Sequence, residues 1–331
     1  MKPRLLVLEL WGLGDLVIAT QFLRAAAEKY DVTLLAKPYA LELQSRLWPA
    51  VAVIPFSVPW TAFRAKYQVW RWPWPELFQL RRQLREKAFD YGVSARWDPR
   101  DHLALKLSGA RERLGFSRLK SRRYLTQELV RPTPLAHRHE YWRVVGAALG
   151  LVLPPRSEIF AGPRALPPVV FIHTGARLPL RVWPLENYFE LVRRLRQKNV
   201  AVQVACDEDQ LGWWQRQGET AAGPRNVTEL LACLDRAGVF IGNDSGPGHL
   251  AASCGLPTFT LFGPQLPEWF APLHPAAEVV VGRACPYKPC SDYCRFAEPF
   301  CLRGVSVAEV WPRVESFVTR HLIARPKDIP N

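Results

Sequence analysis

One stretch constrains this chain more than any other. An apolar run from Ala237 to Ile241 stops at Gly242, and a polar turn follows: Asn243-Asp244-Ser245-Gly246-Pro247-Gly248. The chain then continues through His249-Leu250 to Gly255, and a second apolar run spans Thr258 to Phe262 before Gly263-Pro264. Ser245 suits an N-cap, Pro247 a first helical turn and Gly255 a stop, so the pattern predicts strand, short helix, strand. Such a unit belongs in a parallel α/β sheet. The backbone N–H groups from Ser245 to Gly248, together with the helix dipole, favour a phosphate at that turn. The bland alternative is an ordinary strand–helix turn.

The same alternation runs along the whole chain. Leu5–Leu10, Val32–Ala36, Val51–Ile54 and Asp90–Ala95 read as strands. Between them lie one helical face made by Leu16, Thr20, Leu23 and Ala27, a helix at Leu77–Lys87 and another near His102–Leu107. After a proline-rich segment (Pro154, Pro155, Gly162, Pro163, Pro167, Pro168) the alternation restarts. Val169–His173 reads as a strand, Leu185–Gln197 as a helix with Leu185, Phe189, Val192 and Leu195 in register, and Val200–Ala205 as a strand. Ser306 and Glu309 resemble a capping box for a last helix, which Pro312 should kink or whose start it should move. The expected architecture is two Rossmann-like doubly wound domains, 1–155 and 168–331, facing a cleft and joined by a linker at 156–167.

With 331 residues and 48% hydrophobic content, each half can bury its own core. The net charge of +14 points to anionic partners: nucleotides, nucleic acid or an acidic membrane surface. The N-terminal apolar run is too short for a signal peptide, and no stretch approaches the roughly 20 apolar residues of a membrane helix. A cytoplasmic protein, peripheral to a membrane at most, is therefore expected, with its seven cysteines reduced.

Two further loops carry chemistry. Gly12-Leu13-Gly14-Asp15 follows a strand and opens a helix, but lacks the third glycine of a dinucleotide fingerprint. Asp15 would place a carboxylate where a pyrophosphate would otherwise sit. The better reading is a general base kept ionised by the helix dipole, against the alternative of a capping residue. In His173-Thr174-Gly175-Ala176-Arg177, Gly175 permits close backbone approach to a ligand. Arg177 and Arg181 are placed to clamp a diphosphate, against the alternative of ordinary surface arginines.

These loops resemble the ADP-heptose:lipopolysaccharide heptosyltransferases, glycosyltransferase family 9, which have the GT-B fold. The resemblance takes in Leu13-Gly14-Asp15, Phe89-Asp90-Tyr91-Gly92-Val93, Gly109 to Phe116, and Gly175-Ala176 ahead of Arg181-Val182-Trp183-Pro184. It continues through Asp244 to Ala252 and on into Leu261-Phe262-Gly263-Pro264. It implies that Asp15 is the catalytic base. It also implies that Asp244, Ser245, Gly246 and His249 form the loop that binds an ADP-heptose-like nucleotide-sugar donor, and Gly14, Gly175, Arg177, Arg181, Pro247 and Gly248 are expected to contact the same donor. Arg181 stands where the family usually has a lysine, which keeps the charge but changes reach and geometry. The implied reaction is inverting sugar transfer to a lipopolysaccharide core or other glycan. The base acts on one face of the anomeric carbon and the departing diphosphate is stabilised on the other. No Asp-x-Asp motif stands out near these loops, so the helix dipole and arginine can replace a divalent metal, which is allowed but not required.

Three features stay outside that scheme. Cys285, Cys290, Cys294 and Cys301 read as reduced structural thiols, a metal site or a disulfide pair. Trp60, Phe63, Arg64, Lys66, Tyr67, Trp70, Arg71, Trp72 and Trp74 interleave aromatic and basic side chains, which suits an anionic inner-membrane surface or a glycolipid. The bland reading is a loop packing its own rings. A second reading, a GT-B nucleotide-sugar epimerase, needs additional acid/base carboxylates lining the cleft, and the sequence offers few candidates for them, Asp98 and Asp207, neither in a motif that points to the role. A basic nucleic-acid-binding protein is the third reading, and it leaves the Asp244 block unexplained.

Overall fold

The computed structural model describes residues 1–62, 66–159, 167–290 and 293–323. They form two compact units, one ending at Pro155 and the other beginning at Arg156. Of the linker residues, Gly162 and Pro163 lie outside the described residues, as do Phe63 and Arg64 of the aromatic–basic stretch.

The first unit is built on β1 (Arg4–Glu9), β2 (Asp31–Ala36), β3 (Ala52–Pro55), β4 (Tyr91–Ser94), β5 (Glu112–Gly115) and β6 (Gln127–Glu128). The second uses β7 (Val169–His173), β8 (Ala201–Ala205), β9 (Ala221–Ala222), β10 (Val239–Asn243), β11 (Thr258–Phe262) and β12 (Ala277–Val281). The sheet orders are β3-β2-β1-β4-β5-β6 and β12-β11-β10-β7-β8-β9, and every pairing is parallel. Central strands covered on both faces must be apolar throughout rather than alternating. Accordingly β10 and β11 are buried along their whole length, and β1 and β2 beyond their first residue.

Both sheets are wound the same way. The chain moves outward from the first strand, then crosses to its other side. β1/β4 and β7/β10 are therefore the points where the strand order reverses, and the crevice beyond the carboxyl ends of such a pair is where ligands of doubly wound sheets bind. Helices cover both sheets. Leu6, Leu8, Phe89 and Leu105 lie in the core of the first unit, and Trp183, Tyr188, Leu191 and Phe317 in that of the second.

Local rules account for several boundaries. The Pro99–Ser108 helix starts where Asp98 Oδ1 accepts from the Arg100 N–H (2.9 Å) and stops at Gly109, whose φ of +80° suits glycine. The block around Gly92 is a packing motif: a Cβ there would come within 2.9 Å of the Ala110 Cβ. The last helix, Val307–Val318, begins with the Ser306–Glu309 capping box and carries Pro312 inside it, so the proline does not move its start.

Candidate active site

In the first unit the β1/β4 crevice is furnished by the two loops beside it. β1 ends at the buried Glu9, and the chain turns through Trp11 and Gly12 into the Leu13–Ile18 helix. Asp15 sits in its first turn, where the Gly12 N–H donates to Oδ2 at 3.3 Å. Its other oxygen pairs with the Arg96 guanidinium, which comes from the loop after β4. Gly14 is the neighbour of Asp15 on this helix and so belongs to the first unit, apart from the other expected donor contacts in sequence.

Arg96 stands at the centre of a charged group. Its guanidinium lies 5.1 Å from the Trp11 ring centroid. Burial works against its charge, but Asp15, Glu9 and Asp101 outweigh that and hold its pKa above the usual value. Burial, opposed by Arg96 and reinforced by Asp15 and Asp101, pushes Glu9 up to about 8. Asp101 is pushed up to about 6 by burial and by Asp98. The indoles of Trp60 (3.1 Å) and Trp11 (3.4 Å) donate to it and oppose the shift. Burial and the repulsion of Arg96 bring Arg138 down to about 9, with its guanidinium 4.2 Å from the Trp97 ring centroid. Beside this group opens a cavity of about 640 Å³. Trp11, Tyr67, Trp72 and Trp97 line it together with Lys66, Arg96, Arg100, Arg118 and Arg138. Asp98, the acid among the lining residues, is bound by Arg100 at 2.6 Å.

The second unit arms the β7/β10 crevice in the same way. The loop after β7 carries Thr174, Gly175 and Arg177, then a short turn, Pro179–Arg181. β10 runs directly into Asp244, Ser245 and the Gly246–Ser253 helix. The structure brings Arg181 and Asp244 together: Nη1 lies 3.3 Å from Oδ2, and the Asp244 carboxylate is 3% exposed. The Arg181 Nε is buried and has no hydrogen-bond partner among the described residues. Ser245 occupies the N-cap position, but its hydroxyl donates to the Asn243 carbonyl (3.3 Å) instead of capping the helix. Gly246, Pro247 and Gly248 form the first turn with the buried His249, while Arg177 is exposed.

Asn243 organises this crevice. It is fully buried. Its Nδ2 donates to the Thr174 carbonyl (2.8 Å), and its Oδ1 accepts from the Trp183 N–H (3.0 Å) and the Tyr188 hydroxyl (2.9 Å). One side chain thus ties β10 to both segments that carry Gly175 and Arg181. Gly175 is required because a Cβ would run into the Asp207 carboxylate. Burial and Asp209 raise the pKa of Asp207. His173, buried at the end of β7, is pushed down to about 4 by desolvation, opposed by a hydrogen bond with Gly175 backbone.

Sequence reasoning missed Asn243, Glu9, Arg96, Asp101 and Arg138. The signal for Arg96 was present, since it follows the strand expected at Asp90–Ala95. Asn243 carried no such signal, because it looks like the first polar residue of a turn.

None of the seven cysteines, all among the described residues, is in a disulfide. Cys285, Cys290, Cys294 and Cys301 line one small, mostly apolar cavity with Leu180, Phe296 and Phe300. Among the described residues, no three His, Cys, Asp or Glu side chains are grouped to hold a metal. Burial raises Cys290 and Cys301 above the ordinary thiol range. The segment packs against the turn that carries Arg181 and is tied to Pro264 by the Cys290 N–H (3.0 Å). Of the other three, Cys206 and Cys233 are buried and Cys254 is half-buried. Trp60 also belongs to the core, and Trp72 and Trp74 (5.7 Å) and Phe78 (6.2 Å from Trp74) extend from it. Tyr67 and Trp70 are each 76% exposed. No described helix is long and apolar enough to cross a membrane.

Comparison with known proteins agrees with this geometry. Residues 155–299 match the model of glycosyltransferase family 9 (heptosyltransferase). The chain is 32% identical over 104 residues to lipopolysaccharide heptosyltransferase 3 of Escherichia coli, which covers 28% of this chain and 30% of that protein. It is 30% identical over 143 residues to lipopolysaccharide heptosyltransferase 1 of Pseudomonas aeruginosa, covering 41% and 39%. The aligned stretches thus span about a third of these relatives' length. The fold matches that of E. coli heptosyltransferase WaaC, solved with ADP, over 95% of this chain and 99% of the other, with a TM-score of 0.74 at 16% identity. Two parallel doubly wound sheets, each with its loops at the switch point, are the GT-B α/β fold of that enzyme, and the match to the glycosyltransferase family 9 model falls on the part of the chain that carries the β7/β10 crevice.

Proposed function

We propose that this protein is an inverting glycosyltransferase. It moves heptose or a related sugar from ADP-heptose or a similar nucleotide sugar to a lipopolysaccharide core or other glycan. The observation that carries the reading is the β7/β10 crevice. A buried arginine nitrogen without a partner among the described residues adjoins a helix start that its N-cap side chain does not cap. Both features suit a diphosphate. In this reading Asp244 orients Arg181, and Gly175 and the Ser245–Gly248 backbone admit the phosphates closely. His249 completes the donor site. As the diphosphate leaves, Arg181 and the helix N-terminus meet its growing charge.

Asp15 takes the proton of the acceptor hydroxyl as that oxygen attacks the anomeric carbon. One displacement at that carbon inverts it. The cavity beside Asp15 suits an anionic glycan, since cations and aromatic rings line it. The exposed Tyr67, Trp70 and Phe78, near Lys66 and Arg71, support docking at the anionic cytoplasmic face of the inner membrane.

Calorimetry with a panel of nucleotide sugars, with and without Mg²⁺, tests the donor. Selective binding of an ADP-sugar is expected, and preference for a UDP- or GDP-sugar overturns the heptose assignment. Asp15→Ala should abolish turnover while donor affinity stays close to wild type. Near-wild-type turnover in that variant sinks Asp15 as the base.

A further inference from the structure

Arg96 has two relationships at once. It pairs with the Asp15 carboxylate, and it lines the cation-rich cavity. The first relationship hinders catalysis. A carboxylate held by a guanidinium is a weaker base than one without a cation beside it. The second supplies the remedy. Arg96 and Arg138 face the same cavity and repel one another. The acid among the lining residues, Asp98, is committed to Arg100 through two contacts, at 2.9 and 2.6 Å. The chemical complement of this cavity is therefore an oxyanion, a phosphate or a carboxylate.

We propose that Arg96 is a positioning residue with two stations, on Asp15 while the cavity is empty and on an oxyanion of the acceptor when it is filled, so that the acceptor frees its own base. This rests on the reading of Asp15 as the base. The groups facing the pair are Glu9 at the end of β1, Asp101 on the Pro99–Ser108 helix and Arg138 on the Arg138–Ala148 helix. Burial raises the pKa of Glu9, which weakens the hold of its charge on Arg96 relative to that of Asp15. The guanidinium also lies over the Trp11 ring, which can carry a cation in either station.

The test follows the Asp15 carboxyl carbon by NMR in the full-length protein, labelled with ¹³C-aspartate and assigned by its loss in Asp15→Asn. It is titrated with pH alone, with saturating inorganic phosphate and with saturating acetate. Calorimetry establishes saturation. In the wild type, phosphate should raise the Asp15 pKa by about one unit or more. If acetate does so as well, the site takes carboxylates; if it does not, the site is specific for phosphate. In Arg96→Gln the pKa should already be raised without an anion, and its response to phosphate should shrink. Arg96→Lys, which keeps the charge and guards against a folding defect, should retain a phosphate response. Failure of phosphate to bind overturns the proposal. So does an Asp15 titration that phosphate leaves unmoved, or one moved equally in Arg96→Gln, which is simple repulsion. The base reading fails separately: if Asp15→Asn turns over normally, Asp15 is not the base, whatever the titration shows.

Discussion

Asn243→Ala should unlock the second unit's crevice. Its amide satisfies three buried groups: the Thr174 carbonyl at 2.8 Å, the Trp183 N–H at 3.0 Å and the Tyr188 hydroxyl at 2.9 Å. Truncation leaves all three in a site the structure shows fully buried. Each group stranded without a partner costs about 1–3 kcal/mol. A water entering the space left by the amide would recover part of this, so a loss of about 4 kcal/mol is expected. That is a large fraction of the roughly 5–15 kcal/mol that holds most domains folded. Hydrogen exchange read on peptides covering β7 and β10 reports the loss locally, without assuming that both units unfold together. Protection there should fall by about three orders of magnitude, since 1.4 kcal/mol is tenfold (about 4 kcal/mol in all). Tyr188→Phe removes one of the three bonds and should cost about 1 kcal/mol. In the Asn243→Ala background the same change should cost less, or restore stability, because it deletes a stranded hydroxyl. A loss below about 1 kcal/mol for Asn243→Ala, or strict additivity with Tyr188→Phe, refutes the claim that this amide is the hub.

Two further perturbations test the same crevice. Gly175→Ala should destabilise by about 1–3 kcal/mol through overpacking against Asp207 and weaken donor binding, and Gly175→Ala/Asp207→Ala should recover most of the stability; no recovery on denaturant unfolding rejects the steric account. The second concerns His173, which ionises at about 4 in the fold against about 6.5 in the unfolded chain, so below 6.5 the unfolded state takes up the extra proton. Its contribution is fully present above pH 6.5 and is lost as pH falls toward 4, at up to about 1.4 kcal/mol per pH unit. His173→Asn should flatten that part of the stability profile, and an unchanged slope excludes His173 as its source.

The sequence made the fold legible where burial was two-sided. Val169–His173 and Thr258–Phe262 coincide with their strands, because a central parallel strand writes itself as an unbroken apolar run. Edge strands, Ala52–Pro55 apart, do not. Ala277–Val281 is half-exposed, Gln127–Glu128 is wholly exposed, and neither leaves a period to read. The candidate site divides along the same physical line. Asp15, Arg181 and Asp244 sit in loops whose composition departs from the runs around them, so local reading finds them. Arg96 matters because β4 lies beside β1, although some eighty residues separate it from Asp15. Asn243 matters because β10 lies beside β7. Both neighbourhoods are consequences of strand order, which no window along the chain contains. In each unit the residues just beyond the carboxyl ends of the two reversal strands supply the charged pair, Asp15 with Arg96 and Asp244 with Arg181. The same winding repeated twice has produced an acid–arginine pair at the same topological position in both units, with the acid following β1 in one and β10 in the other. The pairs are therefore not copies of one ancestral contact carried along the chain. The shared cause is the crevice, where parallel strands end together and loop side chains from both sides converge.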